Sequence, residues 1–315
     1  MTGRAAYRIF CEQHEATIPV FQQPWYLDAA CGSDNWDAVF LIQRNDPEQK
    51  IIAVMPFYLK KKLGFTYIQQ PALVKWWSPL IAPQLRHKEQ SFLAELIEQL
   101  PKVAYHVQQF YSDITDWLPF YWAGYQQTTQ YYYEITELQN WTAVYQHIDS
   151  GYRRRIRLAA TKLSLTDAFS ANDFFTLNRA TLLRNESDVG FTQAEFLRWY
   201  DALEQHSSGK IFAVQDAENR IHAACYLFWD AEAAYVYFGC DDPSLRQDSG
   251  YIYVLYEAMR FGQEVLKVSR FVFTGSMIQR IERILRQFGA TQRSYFKVWK
   301  HHSVAFQLLQ AIKQR

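Results

Sequence analysis

Residues 235–262 read YVYFGCDDPSLRQDSGYIYVLYEAMRFG, and residues 270–300 read RFVFTGSMIQRIERILRQFGATQRSYFKVWK. The first stretch opens on a β-rich aromatic run ending at Gly239, crosses a polar turn, and takes up helical spacing from Gly250 to Phe261. Arg270 to Phe273 has the composition of a further strand, and Tyr295 to Trp299 of a last one. Between them, Ser276-Met277-Ile278-Gln279 has the pattern of a capping box opening a helix that stops at Gly289.

Upstream, Ile211 to Gln215, Ile221 to Trp229 and Ala234 to Gly239 form a three-strand meander, with turn residues at Asp216 to Asn219. Two helices precede it, Tyr152 to Lys162 and Asn172 to Arg184. A third opens at the capping box Thr192-Gln193-Ala194-Glu195, which Phe191 and Phe196 flank as a hydrophobic staple. Such an order of elements gives an α/β fold: a mixed, mostly antiparallel sheet with helices on both faces. The first half repeats part of it. Its hairpin AVFLIQRNDPEQKIIAVMPFYL (38–59) matches KIFAVQDAENRIHAACYLFW (210–229) in length, turn chemistry and the Ile-x-Ala start of the second strand. Pro24 to Ala30 and Ser91 to Leu100 read as helices, and Val103 to Phe110 and Gln130 to Thr136 as strands. The expectation is an internal duplication, with one domain over 1–140 and a second over 141–315.

The 315 residues, 49% hydrophobic and 21% charged, suffice for a large core or two. No window approaches the ~18 consecutive apolar residues of a spanning helix. The first fifteen residues lack the layout of a secretory signal, so the expected location is cytoplasmic. A net charge of +1 gives no whole-molecule attraction to a polyanion, so any anion site must be local. Cys11, Cys31, Cys225 and Cys240 are too far apart for a zinc motif, and no metal is implied. Aromatic residues reach 17%, many in pairs such as Trp76-Trp77 and Tyr121-Trp122, which serve either a core or an exposed carbohydrate-binding face.

The two opening stretches, together with YRRRIRLAATK at 152–162, resemble the FemABX/CelD-type branch of the GNAT acyltransferase superfamily, bacterial proteins built from two tandem GNAT folds. The likeness is specific over Tyr152 to Lys300. In the first half it rests on FQQPWYLDAA (21–30) and the hairpin. It implies an N-acyltransferase that moves an acyl or aminoacyl group to an amine from acyl-CoA or, alternatively, from an aminoacyl-tRNA. The implied acceptor is a cell-envelope or polysaccharide precursor or a phosphorylated carrier, with no DNA partner. A tRNA contact would need a broader basic surface than a near-neutral chain suggests.

GNAT enzymes hold the donor pyrophosphate on a Q/R-x-x-G-x-G/A loop at a helix start, where backbone N–H groups and the positive helix end converge. Gln247, Asp248, Ser249, Gly250 and Tyr251 fall in that slot, followed by Ile252 where a small residue is usual. The resemblance places the acceptor near Arg153, Arg157, Arg184, Asp188, Thr274 and Ser276. Tyr237 and Glu186 are the catalytic candidates: Tyr237 on the central strand and Glu186 in a loop that lines the acceptor side in this fold. The competing readings are a core tyrosine and a solvated loop carboxylate. Arg153 and Arg157 sit one helical turn apart and could grip a phosphate together. His222 reads as a structural strand histidine, and Ser276 as an N-cap rather than a nucleophile. Leu285 stands where many GNAT enzymes carry a tyrosine acid. With that residue, a catalytically degenerate GNAT scaffold that only binds a ligand or partner is the rival to an enzyme.

Overall fold

The computed structural model describes residues 1–44, 46–185, 190–275 and 277–313. In chain order, the elements of the first half are α1 (Gly3–Gln13), α2 (Pro24–Cys31), β1 (Trp36–Ile42), β2 (Ile51–Lys62), β3 (Phe65–Ile68), β4 (Leu80–Ile81), α3 (Glu89–Gln99), β5 (Tyr105–Gln109), α4 (Leu118–Trp122) and β6 (Gln126–Ile135). Then come α5 (Trp141–His147), α6 (Ser150–Ala160), β7 (Ser164–Thr166), α7 (Ala171–Arg184), α8 (Gln193–Gln205), β8 (Gly209–Gln215), β9 (Ile221–Trp229) and β10 (Ala233–Asp241). The chain continues through α9 (Gly250–Phe261), β11 (Arg270–Phe273), α10 (Gln279–Gln287), β12 (Thr291–His301) and α11 (Val304–Lys313).

Two compact units emerge: one of residues 1–130 with 294–315, the other of residues 131–293. The sequence division at 140/141 assigned the last 22 residues to the second half; here they pack with the first. The physical reason is pairing. Lys297 to His301 of β12 lie antiparallel to Tyr105 to Gln109 of β5, and Phe306 of α11 is buried against Phe65 and Tyr67.

In the first unit, β1, β2 and β3 are antiparallel neighbours and β3 meets β5 in parallel. Leu93 and Leu96 of α3 share a core with Val39, Ala53, Met55, Phe110 and Val298. The β1–β2 hairpin and the β8–β9 hairpin of the second unit are alike in a further detail: each slips register beside its turn, at Leu41/Ile42 and at Val214/Gln215.

In the second unit the order is β6-β11-β10-β9-β8-β7, antiparallel except for β10 and β11. β9 is buried on both faces, which accounts for its nearly continuous apolar run. One face carries α9, whose Ile252, Leu255, Ala258 and Met259 recur at helical spacing and join Val214, Ala223, Leu227 and Val236 in the core. Across the other face an aromatic layer sets Phe174 of α7 and Phe196 and Trp199 of α8 against Tyr226, Phe228 and Phe238. The capping box at Thr192 forms in full. α10 starts at Gln279 with Ile278 as its N-cap, and Ser276, where the second box was expected to open, lies outside the described residues.

Trp76 and Trp77 are buried, whereas Tyr121 and Trp122 are exposed, so the aromatic pairs do not make one carbohydrate-binding face. All four cysteines are buried, and none of them forms a disulfide.

Candidate active site

The second unit's sheet parts in its middle. β10 and β11 run in register from Ala233/Arg270 to Val236/Phe273 and no further. Thr274 closes the paired part, its backbone N–H and its hydroxyl both donating to the Val236 carbonyl, at 3.2 and 2.9 Å. Gly275 then turns the chain away at φ 102°, in a place where a Cβ would lie 2.4 Å from the Tyr131 carbonyl oxygen. β10 continues to Asp241 on the arm of β9 alone. At the parting point its register slips, Val236 facing Leu227 and Phe238 facing Tyr226, so Tyr237 is the extra residue of a β-bulge.

Past the parting lies a cleft of about 330 Å³. Gly239, Cys240 and Asp241 of β10 form one side, the start of α9 another, and Tyr152 and Arg155 of α6 a third. Thr181 of α7, Asn185 at its C-terminal end, Arg246, and Arg280, Ile281 and Ile284 of α10 also line it. Its polar end is the α9 N-terminus. Ser249 precedes the helix at φ 62° and makes no side-chain cap hydrogen bond, its hydroxyl accepting at 3.0 Å from Arg155 Nε. The first amides of this twelve-residue helix are thus left to an incoming acceptor. Glycine at 250 has a steric cause: a Cβ there would come within 2.7 Å of the His222 Cβ.

His222 itself is the extra residue where β9 slips against β8, Val214 facing Ala223 and Gln215 facing Ile221. The bulge brings its ring to the cleft. Nε2 lies 3.0 Å from Asp216 Oδ2, and since a carboxylate only accepts, the proton sits on Nε2. Nδ1 is buried with no hydrogen-bond partner among the described residues. Burial alone would raise the Asp216 pKa. Hydrogen bonds from the Arg220 side chain and from His222 win, and the carboxyl stays well below the usual carboxylate range. The cleft therefore presents helix amides and the arginines Arg155, Arg246 and Arg280 as donors and the His222 Nδ1 as an acceptor, facing the apolar Ile281 and Ile284.

Of the residues expected at the donor loop, Ser249, Gly250 and Tyr251 line this cleft, and Gln247 and Asp248 do not. Asp248 pairs with Lys162 at 2.5 Å, which engages its charge with α6. Ile252 joins the core and also lines the cleft. Arg153 and Arg157 turn towards Tyr145, the first stacking over its ring and the second 3.4 Å from its hydroxyl. The residue of that helix in the cleft is Arg155, on a different face of α6. Arg184 stands behind the wall, bonded to Thr181 Oγ1 and to the Asp241 carbonyl. Thr274 is buried at the seam. Tyr237 packs among Trp199, Phe228 and Phe238. Glu186, Asp188 and Ser276 lie outside the described residues. Leu285 belongs to the core. Sequence reasoning missed Arg155 and His222 as lining residues. The signal for His222 was the neighbouring turn, where Asp216 sits six positions earlier on the other arm of the hairpin.

No protein-family model and no curated protein sequence matches this chain. Solved structures do. Over 98% of both chains it superposes on FemX with a TM-score of 0.66 at 13% identity. L-PGS from Bacillus licheniformis follows with a TM-score of 0.58 at 11% identity, over 98% of this chain and 96% of that one. A tandem GNAT protein of the clavulanic acid biosynthesis pathway aligns over 94% of both chains, with a TM-score of 0.54 at 8% identity. The chain shares its fold with FemX and with this tandem GNAT protein.

Proposed function

We propose that this protein is an N-acyltransferase that moves an acyl or aminoacyl group from an acyl-CoA or an aminoacyl-tRNA to an amine on a cell-envelope or polysaccharide precursor. One observation carries the reading: β10 and β11 separate after Val236/Phe273, beside a helix whose first amides are uncapped. Direct transfer asks little more of a protein. The amine nitrogen attacks the donor carbonyl carbon, the bond from that carbon to sulfur or ester oxygen breaks, and the oxyanion formed on the way needs fixed N–H groups. The unpaired edge of β10 past the bulge is suited to supply them, with Tyr237 beside it as the catalytic candidate. Glu186 is the second catalytic candidate.

The donor's phosphates would rest on the amides of Gly250 to Ile252 and on Arg155. Ile281 and Ile284 suit the apolar part of a donor. The similarity to L-PGS and to a tandem GNAT protein whose structure is described as without AcCoA is in keeping with either donor class.

Melting temperatures measured against a panel of acyl-CoAs and charged tRNAs test this. One donor should raise Tm saturably, and Arg155→Ala should weaken it tenfold or more, the loss of one charge-assisted contact. Thiol or free tRNA should then appear when donor and amine are supplied together. A panel without a saturating member removes the reading. Binding with no release under any amine favours the rival, a scaffold that keeps the fold but not the chemistry, which the replacement at Leu285 supports.

A further inference from the structure

The first unit hides a charge asymmetry behind the chain's balance of +1. From Lys50 to Lys88, and again from Ser294 to Arg315, the sequence contains no aspartate or glutamate. These stretches supply β2, β3, β12 and α11, and β5 between them also lacks an acid. Register puts Lys60 opposite Tyr67 and Lys62 opposite Phe65, so these four share one sheet face. α11 lies on that same face, its Phe306 ring 5.4 Å from Phe65 and 5.3 Å from Tyr67.

What α11 turns outward is apolar. Val304, Leu308 and Ile312 follow at four-residue intervals and are 73%, 61% and 72% exposed. Leu63, at the tip of the β2–β3 hairpin, is 73% exposed beside the exposed Lys61 and Lys62. An aliphatic stripe along a helix costs free energy in water. A basic border with aliphatic side chains between suits one kind of partner well. Anionic lipid headgroups attract the lysines, and the acyl boundary takes up the leucines and isoleucine. A nucleic acid would instead be met by arginines and stacking rings, and has no use for protruding aliphatic groups.

We infer that this face is a peripheral docking surface that lays α11 and the β2–β3 tip on an anionic phospholipid bilayer. Co-sedimentation of the full chain with vesicles tests it, using phosphatidylcholine with one third phosphatidylglycerol against phosphatidylcholine alone. The chain should pellet with the anionic vesicles and be released as salt rises from about 0.1 to about 0.5 M. Lys61→Ala with Lys62→Ala should lower the partition about thirty-fold. Leu308→Asp with Ile312→Asp should lower it at least tenfold with Tm unchanged, both side chains being exposed. The idea is overturned if the anionic vesicles leave the chain in solution, or if both double variants bind like the parent. It is equally overturned if bulk tRNA is retained in a gel shift and competes fully with the vesicles while the α11 variant binds that tRNA unaltered.

Discussion

His106 shows how a single buried group imposes pH dependence on the fold. It is fully buried, with Nδ1 2.8 Å from the Tyr125 hydroxyl and Nε2 3.1 Å from Gln108 Oε1. Gln108 spends its amide N–H groups on the Pro56 and Trp77 carbonyls. Its oxygen must therefore accept, which places the imidazole proton on Nε2 and leaves Nδ1 to accept from Tyr125. Burial pushes the His106 pKa down to about 4, against the pull of the Gln108 hydrogen bond and with help from nearby His302. The unfolded chain, with a histidine pKa near ~6.5, binds the proton first on acidification. Stability is then complete above that value and falls as pH drops towards 4, by up to about 3 kcal/mol from this residue. Urea midpoints of the parent should fall between neutral pH and pH 4.5. In His106→Gln the same acidification should cost less, and an equal slope would assign the effect elsewhere.

Among the elements, α8 offers the cleanest local test. Thr192 Oγ1 accepts from the Glu195 amide, and the Glu195 carboxylate takes the Thr192 N–H at 2.7 Å. Thr192→Ala removes one half of this exchange and should cost about 1 kcal/mol, read as a fall in Tm of a few degrees. Elements of this kind were plain in the sequence, because their signals are local: a box at Thr192, a proline at the start of α2, the turn at Asp216. The meander β8 to β10 and the helix from Gly250 were legible for the same reason. The site was legible only in part. Ser249 to Tyr251 could be placed because a loop between a strand and a helix has one location. Which face of α6 meets the cleft depends on tertiary docking, and four residues separate Arg153 from Arg157 without saying where they point. His222 was hidden for another reason: the strand's alternation puts it on one face, and a bulge moves it to the other. α11 went unseen because its period is clear but its outward side is as apolar as its inward one.

For the whole molecule, the order of units along the chain matters most. Removal of residues 294–315 takes Val298, Tyr295 and Phe306 from the first unit and leaves β5 without its β12 partner. Each lost aromatic or aliphatic core residue costs about 2–5 kcal/mol, more together than a domain normally holds in reserve. A chain ending at Arg293 should thus lose the protease resistance of residues 1–130 while 131–293 remains protected, as fragment masses would record. Equal protection of both segments would show that the first unit stands without its late strand. The net charge of +1 is likewise a sum of unlike parts, and an acid-free region disappears in it.

The return of β12 to β5 also orders events on the ribosome. Residues 131–293 are a continuous run and can settle as soon as they clear the exit tunnel. The earlier 130 residues, though made first, must wait with Trp76 and the surrounding rings incompletely covered until the strand at 294–301 emerges. The firstborn half is the last to mature, and during that delay it is a natural client for a chaperone.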